Sequence, residues 1–181
     1  NDGVDELMIK DAFSDREWVF TKNMSGNGFQ TAAHLENVLP PLSSFVLCYD
    51  FNADGLKEII TGEDRLKLYT NESTDSVRFS ANYTTLKYKE GASLLPIEFA
   101  VGEQPTIADV DADGKLDVLV FDADGERVQF FKNISTNDDY VFEKISDRWG
   151  FFKEAGLNFE IILGAAKRAH PGSKILALDH D

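Results

Sequence analysis

The chain has 181 residues, 43% hydrophobic and 12% aromatic, enough apolar material for a buried core, which excludes disorder as its main state. Thirty-two Asp and Glu against 18 Lys and Arg leave a formal charge of -14, so a general phosphate-binding surface is excluded and neither nucleic acid nor an anionic membrane is an expected partner. One cysteine and three histidines give no ligand set for structural zinc. No apolar run reaches bilayer-spanning length, so any leader or membrane anchor is expected outside the segment.

The first six residues, Asn1-Asp2-Gly3-Val4-Asp5-Glu6, superpose on Ala53 to Glu58 and read as the back half of an acidic loop. Strands are expected at Glu6 to Ile9, Trp18 to Thr21 and Phe29 to Ala33, with a turn at Asn23 to Gly28. Residues 1–43 thus make a partial unit. The next unit, 44–103, runs through Phe45 to Tyr49, an acidic loop, Glu58 to Thr61, Leu66 to Tyr69, a turn at Asn71 to Asp75, and Val77 to Ala81. Leu86 to Gly102 reads as a loop. Cys48, within Val46-Leu-Cys-Tyr49, reads as a small buried hydrophobe.

Residues 104–172 repeat this grammar most clearly. Thr106 to Asp109 enters an acidic loop and Leu116 to Phe121 leaves it. Asp122-Ala-Asp124-Gly125 turns the chain through a conformation that Asp-Gly tolerates, and Arg127 to Lys132 returns, alternating at Val128 and Phe130 until Phe131 breaks the pattern. Tyr140 to Ile145 is the fourth strand. Residues 147–172 carry more chain than a link needs and read as an insertion whose aromatic residues pack beneath or between units, with a binding surface as the alternative. Residues 173–181 begin a further unit, closing on Asp179-His180-Asp181.

The acidic loops carry the chemistry. Asp109-Val-Asp111-Ala-Asp113-Gly114-Lys115-Leu-Asp117 places carboxylates at positions 1, 3, 5 and 9 with Gly at position 6. Alternate side chains of so tight a bend converge on one point, as a calcium ion taking six to eight oxygens requires, and position 7 would offer its carbonyl, so the charge of Lys115 need not intrude. Asp50-Phe-Asn52-Ala-Asp54-Gly55-Leu56-Lys-Glu58 repeats the spacing. Crowded carboxylates without a cation repel one another. An EF-hand shares the first half of this pattern but needs Glu at position 12, where Thr61 and Val120 stand, and a following helix, where Ile59-Ile60 and Val118-Leu-Val120 announce strands.

The whole is therefore expected to be all-β, a β-propeller of four-stranded antiparallel blades with a calcium loop between the first two strands of each. Two full units cannot close a ring, so further blades before and after the segment, or a partner chain covering the open edges, are expected.

Set in a repeat of this length, the loop resembles the FG-GAP (VCBS-like) repeats of β-propellers, of which integrin α subunits carry a well-known set. Phe99-Ala-Val-Gly102-Glu-Gln-Pro105-Thr-Ile-Ala-Asp109 and the closing His170-Pro-Gly-Ser-Lys-Ile-Leu-Ala-Leu-Asp179 are similar to segments of the T-cell immunomodulatory protein (linkin) family. The resemblance implies calcium as a structural ion. Its ligands would be Asp109, Asp111, Asp113, the Lys115 carbonyl and Asp117; Asp50, Asn52, Asp54, the Leu56 carbonyl and Glu58; Asp2, Val4 and Glu6; and Asp179 and Asp181. It also implies the ectodomain of a single-pass membrane protein engaged in adhesion or protein recognition.

Four sequons, at Asn23, Asn71, Asn82 and Asn133, exceed chance and point to a secreted or cell-surface glycoprotein. Asn23, Asn71 and Asn133 also occupy the same turn of successive units, which a structural asparagine would explain without a glycan. No Gly-x-Ser-x-Gly elbow is present, and Gly26-Asn-Gly28 does not open a helix, so no catalytic residue is assigned. The expected partners are proteins, including other subunits or blades of the same protein. A carbohydrate-binding or carbohydrate-active module is the alternative, and an inert spacer is the bland one.

Overall fold

The computed structural model describes residues 7–10, 17–22, 28–136, 139–154 and 161–163. Their strands form four sheets. The first is an antiparallel meander of β1 (Leu7–Lys10), β2 (Glu17–Lys22) and β3 (Phe29–Thr31), followed by a single helical turn, α1 (Ala33–Glu36). Residues 1–6, the turn at Asn23 and residues 164–181 lie outside the described set, and with them the expected ligands Asp2, Val4, Glu6, Asp179 and Asp181.

The second sheet is the expected four-stranded antiparallel unit, β4 (Leu47–Tyr49), β5 (Glu58–Gly62), β6 (Leu66–Tyr69) and β7 (Thr84–Thr85), hydrogen-bonded in chain order. Its fourth strand is not Val77 to Ala81, although that segment alternates as a strand should. Residues 70–80 fold back on themselves instead. Glu72 N–H donates to the Arg78 carbonyl at 2.8 Å and Ser80 N–H to the Thr70 carbonyl at 2.9 Å, while the Ser80 hydroxyl accepts from Thr70 N–H at 3.1 Å. With its backbone groups satisfied within that lobe, the segment leaves the sheet edge to Thr84–Thr85. Cys48 is exposed on the edge strand β4, not buried as its apolar neighbours suggest.

The third sheet contains β10 (Thr106–Ala108), β11 (Asp117–Phe121), β12 (Val128–Asn133) and β13 (Val141–Ser146), again an antiparallel meander. Leu86 to Gly102 is not a loop: it forms a hairpin, β8 (Lys87–Glu90) with β9 (Ser93–Pro96), whose β8 lies parallel to β13 and extends the sheet to six strands. Its strands are mostly exposed, as those of an edge hairpin are, and without a regular alternation of polar and apolar residues they read as loop.

One core joins the second and third sheets. Ile60, Leu66, Leu68, Leu86, Ile97, Val118, Val120, Phe131 and Phe142 are all buried in it. The far face of the third sheet buries Leu119, Phe121, Val128 and Phe130 beneath Trp149 and Phe152. Phe131 therefore does not break the alternation: it points into one core and Phe130 into the other, across a register shift in the β12–β13 ladder. Burial on both faces is why β11 reads as a continuous apolar run. The start of the insertion supplies packing through Trp149 and Phe152, while Phe151 is 79% exposed. Beyond it, β14 (Phe152–Glu154) pairs with β15 (Ile161–Leu163).

Candidate metal centre

Both acidic loops link the first two strands of a sheet, β4 to β5 and β10 to β11, and they have the same internal geometry. Asp50 accepts from Asp54 N–H at 3.1 Å and from Gly55 N–H at 3.0 Å. Asp109 accepts from Asp113 N–H at 3.0 Å and Gly114 N–H at 2.9 Å. In turn Asp54 accepts from Leu56 N–H at 2.8 Å and Asp113 from Lys115 N–H at 3.0 Å. These side chains thus serve as the loop's own turn formers. Gly55 and Gly114 hold φ of 88° and 85°, and the fourth position adopts left-handed backbone in both copies, at Ala53 (60°) and Ala112 (59°).

The ninth position is buried. Glu58 and Asp117 are fully shielded from solvent. Each first residue of its strand reaches back to the loop and across to the far end of the third strand. Glu58 accepts from Phe51 N–H at 2.8 Å and Asn71 N–H at 3.4 Å, and Asp117 from Val110 N–H at 3.0 Å and Asn133 N–H at 2.8 Å. Burial pushes both carboxyls above the ordinary range, the backbone donors oppose this, and neighbouring carboxylates (Asp54 for Glu58; Asp111 and Asp113 for Asp117) add to the rise.

In the second loop, one oxygen each from Asp109, Asp111 and Asp117 lies within 4.8 Å of the others. Oxygens bound to one calcium ion at about 2.3 to 2.6 Å fall within that span. Asp113 does not join this trio. It and Asp111 receive the ammonium of Lys132 from β12: Nζ donates to Asp111 and lies 2.9 Å from Asp113 Oδ2. Hydrogen bonding from Lys132 holds Asp113 below the usual carboxylate range, and the pair of carboxylates drives the Lys132 ammonium well above its own. Lys132 is a cation already seated among the donors, so the chemistry of the set fits a positive ion. Lys115 is engaged elsewhere, donating to the Ser135 carbonyl at 2.7 Å.

The first loop has an amide where the second has a third loop carboxylate. Asn52 Nδ2 donates to Asp54 Oδ2 at 3.1 Å, and the position matching Lys132 in the strand register is the uncharged Thr70. Sequence reasoning missed Lys132 because its role depends on register, not on loop spacing. The two loops flank a cleft of about 260 Å³ lined by Asp50, Asn52, Lys115, Asn133, Ser135 and Tyr140.

Two of the sequon asparagines are structural. Asn71 Nδ2 donates to the Lys57 carbonyl at 2.9 Å and Asn133 Nδ2 to the Leu116 carbonyl at 3.0 Å, and each Oδ1 accepts at 3.0 Å from the serine two residues on. Asn133 is 4% exposed. Asn82 lies on the surface.

No curated protein and no solved structure matches the chain. The family comparison finds the FG-GAP-like repeat at the repeat level and does not reach the linkin family. Residues 50–120, from the first aspartate of one loop to the strand leaving the other, are thus an FG-GAP-like repeat segment in an all-β chain.

Proposed function

We propose that this segment is part of an extracellular, calcium-braced β-propeller that acts in adhesion or protein recognition and carries out no catalysis. The observation that carries the reading is the convergence of Asp109, Asp111 and Asp117 oxygens in a loop whose hydrogen-bond geometry recurs at residues 50–58, within the FG-GAP-like segment. In the second loop Asp109, Asp111, Asp113, Asp117 and the Lys115 carbonyl would hold the ion; in the first, Asp50, Asn52, Asp54, Glu58 and the Leu56 carbonyl. Calcium would offset the mutual repulsion of these groups. The chain's own residues fix the bend, bury the ninth carboxylate and tie the loop to three strands.

Millimolar extracellular calcium would fill loops of roughly 10⁻⁴ to 10⁻³ M affinity, each adding on the order of 1 kcal/mol of stability. Thermal melting with calcium and with EDTA, joined to elemental analysis, tests this. A higher midpoint in calcium and bound metal are expected, and Asp111→Ala should shrink the difference. An unchanged midpoint with no calcium found would overturn the reading. The recognition role is tested by a glycan array run in calcium and in chelator: selective sugar capture would replace it with the lectin-like alternative.

A further inference from the structure

The two loops deal with their crowded charge differently. Among ligand side chains, the first has three carboxylates and an amide, Asn52, whose own N–H bridges to Asp54. The second has four carboxylates, and Lys132 bridges Asp111 to Asp113. The difference is a matched exchange of two positions. Asn52 goes with Thr70, and Asp111 goes with Lys132; Thr70 and Lys132 are equivalent, each following the last paired residue of its ladder, Tyr69 opposite Ile59 and Phe131 opposite Val118. With Lys132 counted, the second site's excess negative charge equals that of the first. Lys132 and its two partners are each about a third exposed, so the ammonium can move to solvent when another cation arrives.

We infer that Lys132 is a resident counter-cation of the 109–117 loop: it holds Asp111 and Asp113 together when calcium is scarce, and must be displaced when calcium binds. The second loop then keeps its bend in chelator while the first loosens. It also binds calcium more weakly than its four carboxylates would otherwise allow. The calcium half of this inference rests on the reading proposed above; the bend-holding half does not.

Backbone amides report on each loop separately, because Gly55 N–H and Gly114 N–H each donate to the first aspartate of their own loop. In EDTA, hydrogen exchange at Gly114 should be slower than at Gly55, and Lys132→Met should abolish that difference. In a calcium titration followed by nitrogen–proton correlation spectra of the 181-residue chain, Lys132→Met should lower the Gly114 midpoint about fivefold, the upper reach of a partly exposed ion pair, and leave Gly55 unmoved. The double variant Asp111→Asn, Lys132→Thr rebuilds the first loop's pairing of an amide with a threonine, and should bring the Gly114 midpoint to that of Gly55. That variant carries the test if Lys132→Met does not fold. Equal exchange at Gly55 and Gly114 in the unaltered chain, or a Gly114 midpoint unmoved in both variants, would overturn the role of Lys132. Silence of both glycines in millimolar calcium, with the exchange difference intact, would overturn the calcium reading and leave Lys132 as a brace.

Discussion

Asn133 clasps the start of the strand that Asp117 opens with two donors: its N–H donates to the Asp117 carboxylate at 2.8 Å, and its side-chain amide donates to the Leu116 carbonyl, one residue before Asp117, at 3.0 Å. Glu58 and Asn71 repeat it through Asn71 N–H and the Lys57 carbonyl. The clasp ties the exit of each acidic loop to the end of the third strand. Removing the Asn133 side chain leaves the Leu116 carbonyl and Ser135 N–H without these partners, so Asn133→Ala should cost about 1 to 3 kcal/mol. Asn71→Ala should cost less, because Asn71 is only half-buried and water can replace its amide. Urea unfolding of both variants checks the order.

The same clasp decides where sugar can sit. A glycan is attached through the asparagine Nδ2, which Asn71 and Asn133 use for their strand ends. The folded protein secreted from a eukaryotic cell should therefore carry glycan on Asn82 and none on Asn133. Enzymatic deglycosylation in heavy-oxygen water followed by peptide mass spectrometry reads each asparagine, and a glycan on Asn133 in folded protein would contradict the clasp.

Two glycines should fail for different reasons. An added Cβ at Gly114 meets nothing within 4 Å, but its φ of 85° is costly for any L side chain, so Gly114→Ala should destabilise by about 1 to 2 kcal/mol. Gly62 ends β5 where the chain turns toward Arg65, and a Cβ there would collide with the Arg65 carbonyl oxygen. That atom is backbone and cannot swing away. Gly62→Ala should cost about 3 kcal/mol or more, measurable as the larger fall in melting temperature.

Acid should stabilise the calcium-free protein over a limited range. Burial raises the carboxyls of Glu58 and Asp117, so the folded state binds their protons more tightly than the unfolded chain does. Stability then falls as pH rises from the ordinary carboxylate range through the raised values, and returns on acidification. Asp113, lowered by Lys132, works the other way, and its contribution disappears only below the ordinary range. In EDTA the urea midpoint should be higher near pH 5 than near pH 7, and Asp117→Asn should flatten that slope. A midpoint independent of pH would show that the buried carboxylates are not strained.

The loops were legible because their side chains shape their own backbone: Asp50 and Asp109 accept from the amides four and five residues on, so spacing alone encodes the bend. The strands on either side followed from β-branched runs and Gly-containing turns. What sequence periodicity could not give was set by partners distant in the chain. Val77 to Ala81 has a strand's alternation but pairs with its own turn. Leu86 to Gly102 has a loop's composition but pairs through β8 with β13. Cys48 sits in an apolar run whose outer side has no described neighbour strand. Lys132 looks like any surface lysine until the β11–β12 register brings it beside Asp111.

The hairpin β8–β9 precedes β10 in the chain yet lies beyond β13 in the sheet. The connector between the two units is thereby latched onto the last strand of the second, so the unit's outer strand is guarded by residues that come before its first. Peeling β13 away requires breaking the ladder of Lys87 to Lys89 with Val141 to Glu143, which also frees the connector. A tug on either end of this stretch is consequently shared by both sheets, and the pair should yield together in a single event under mechanical load.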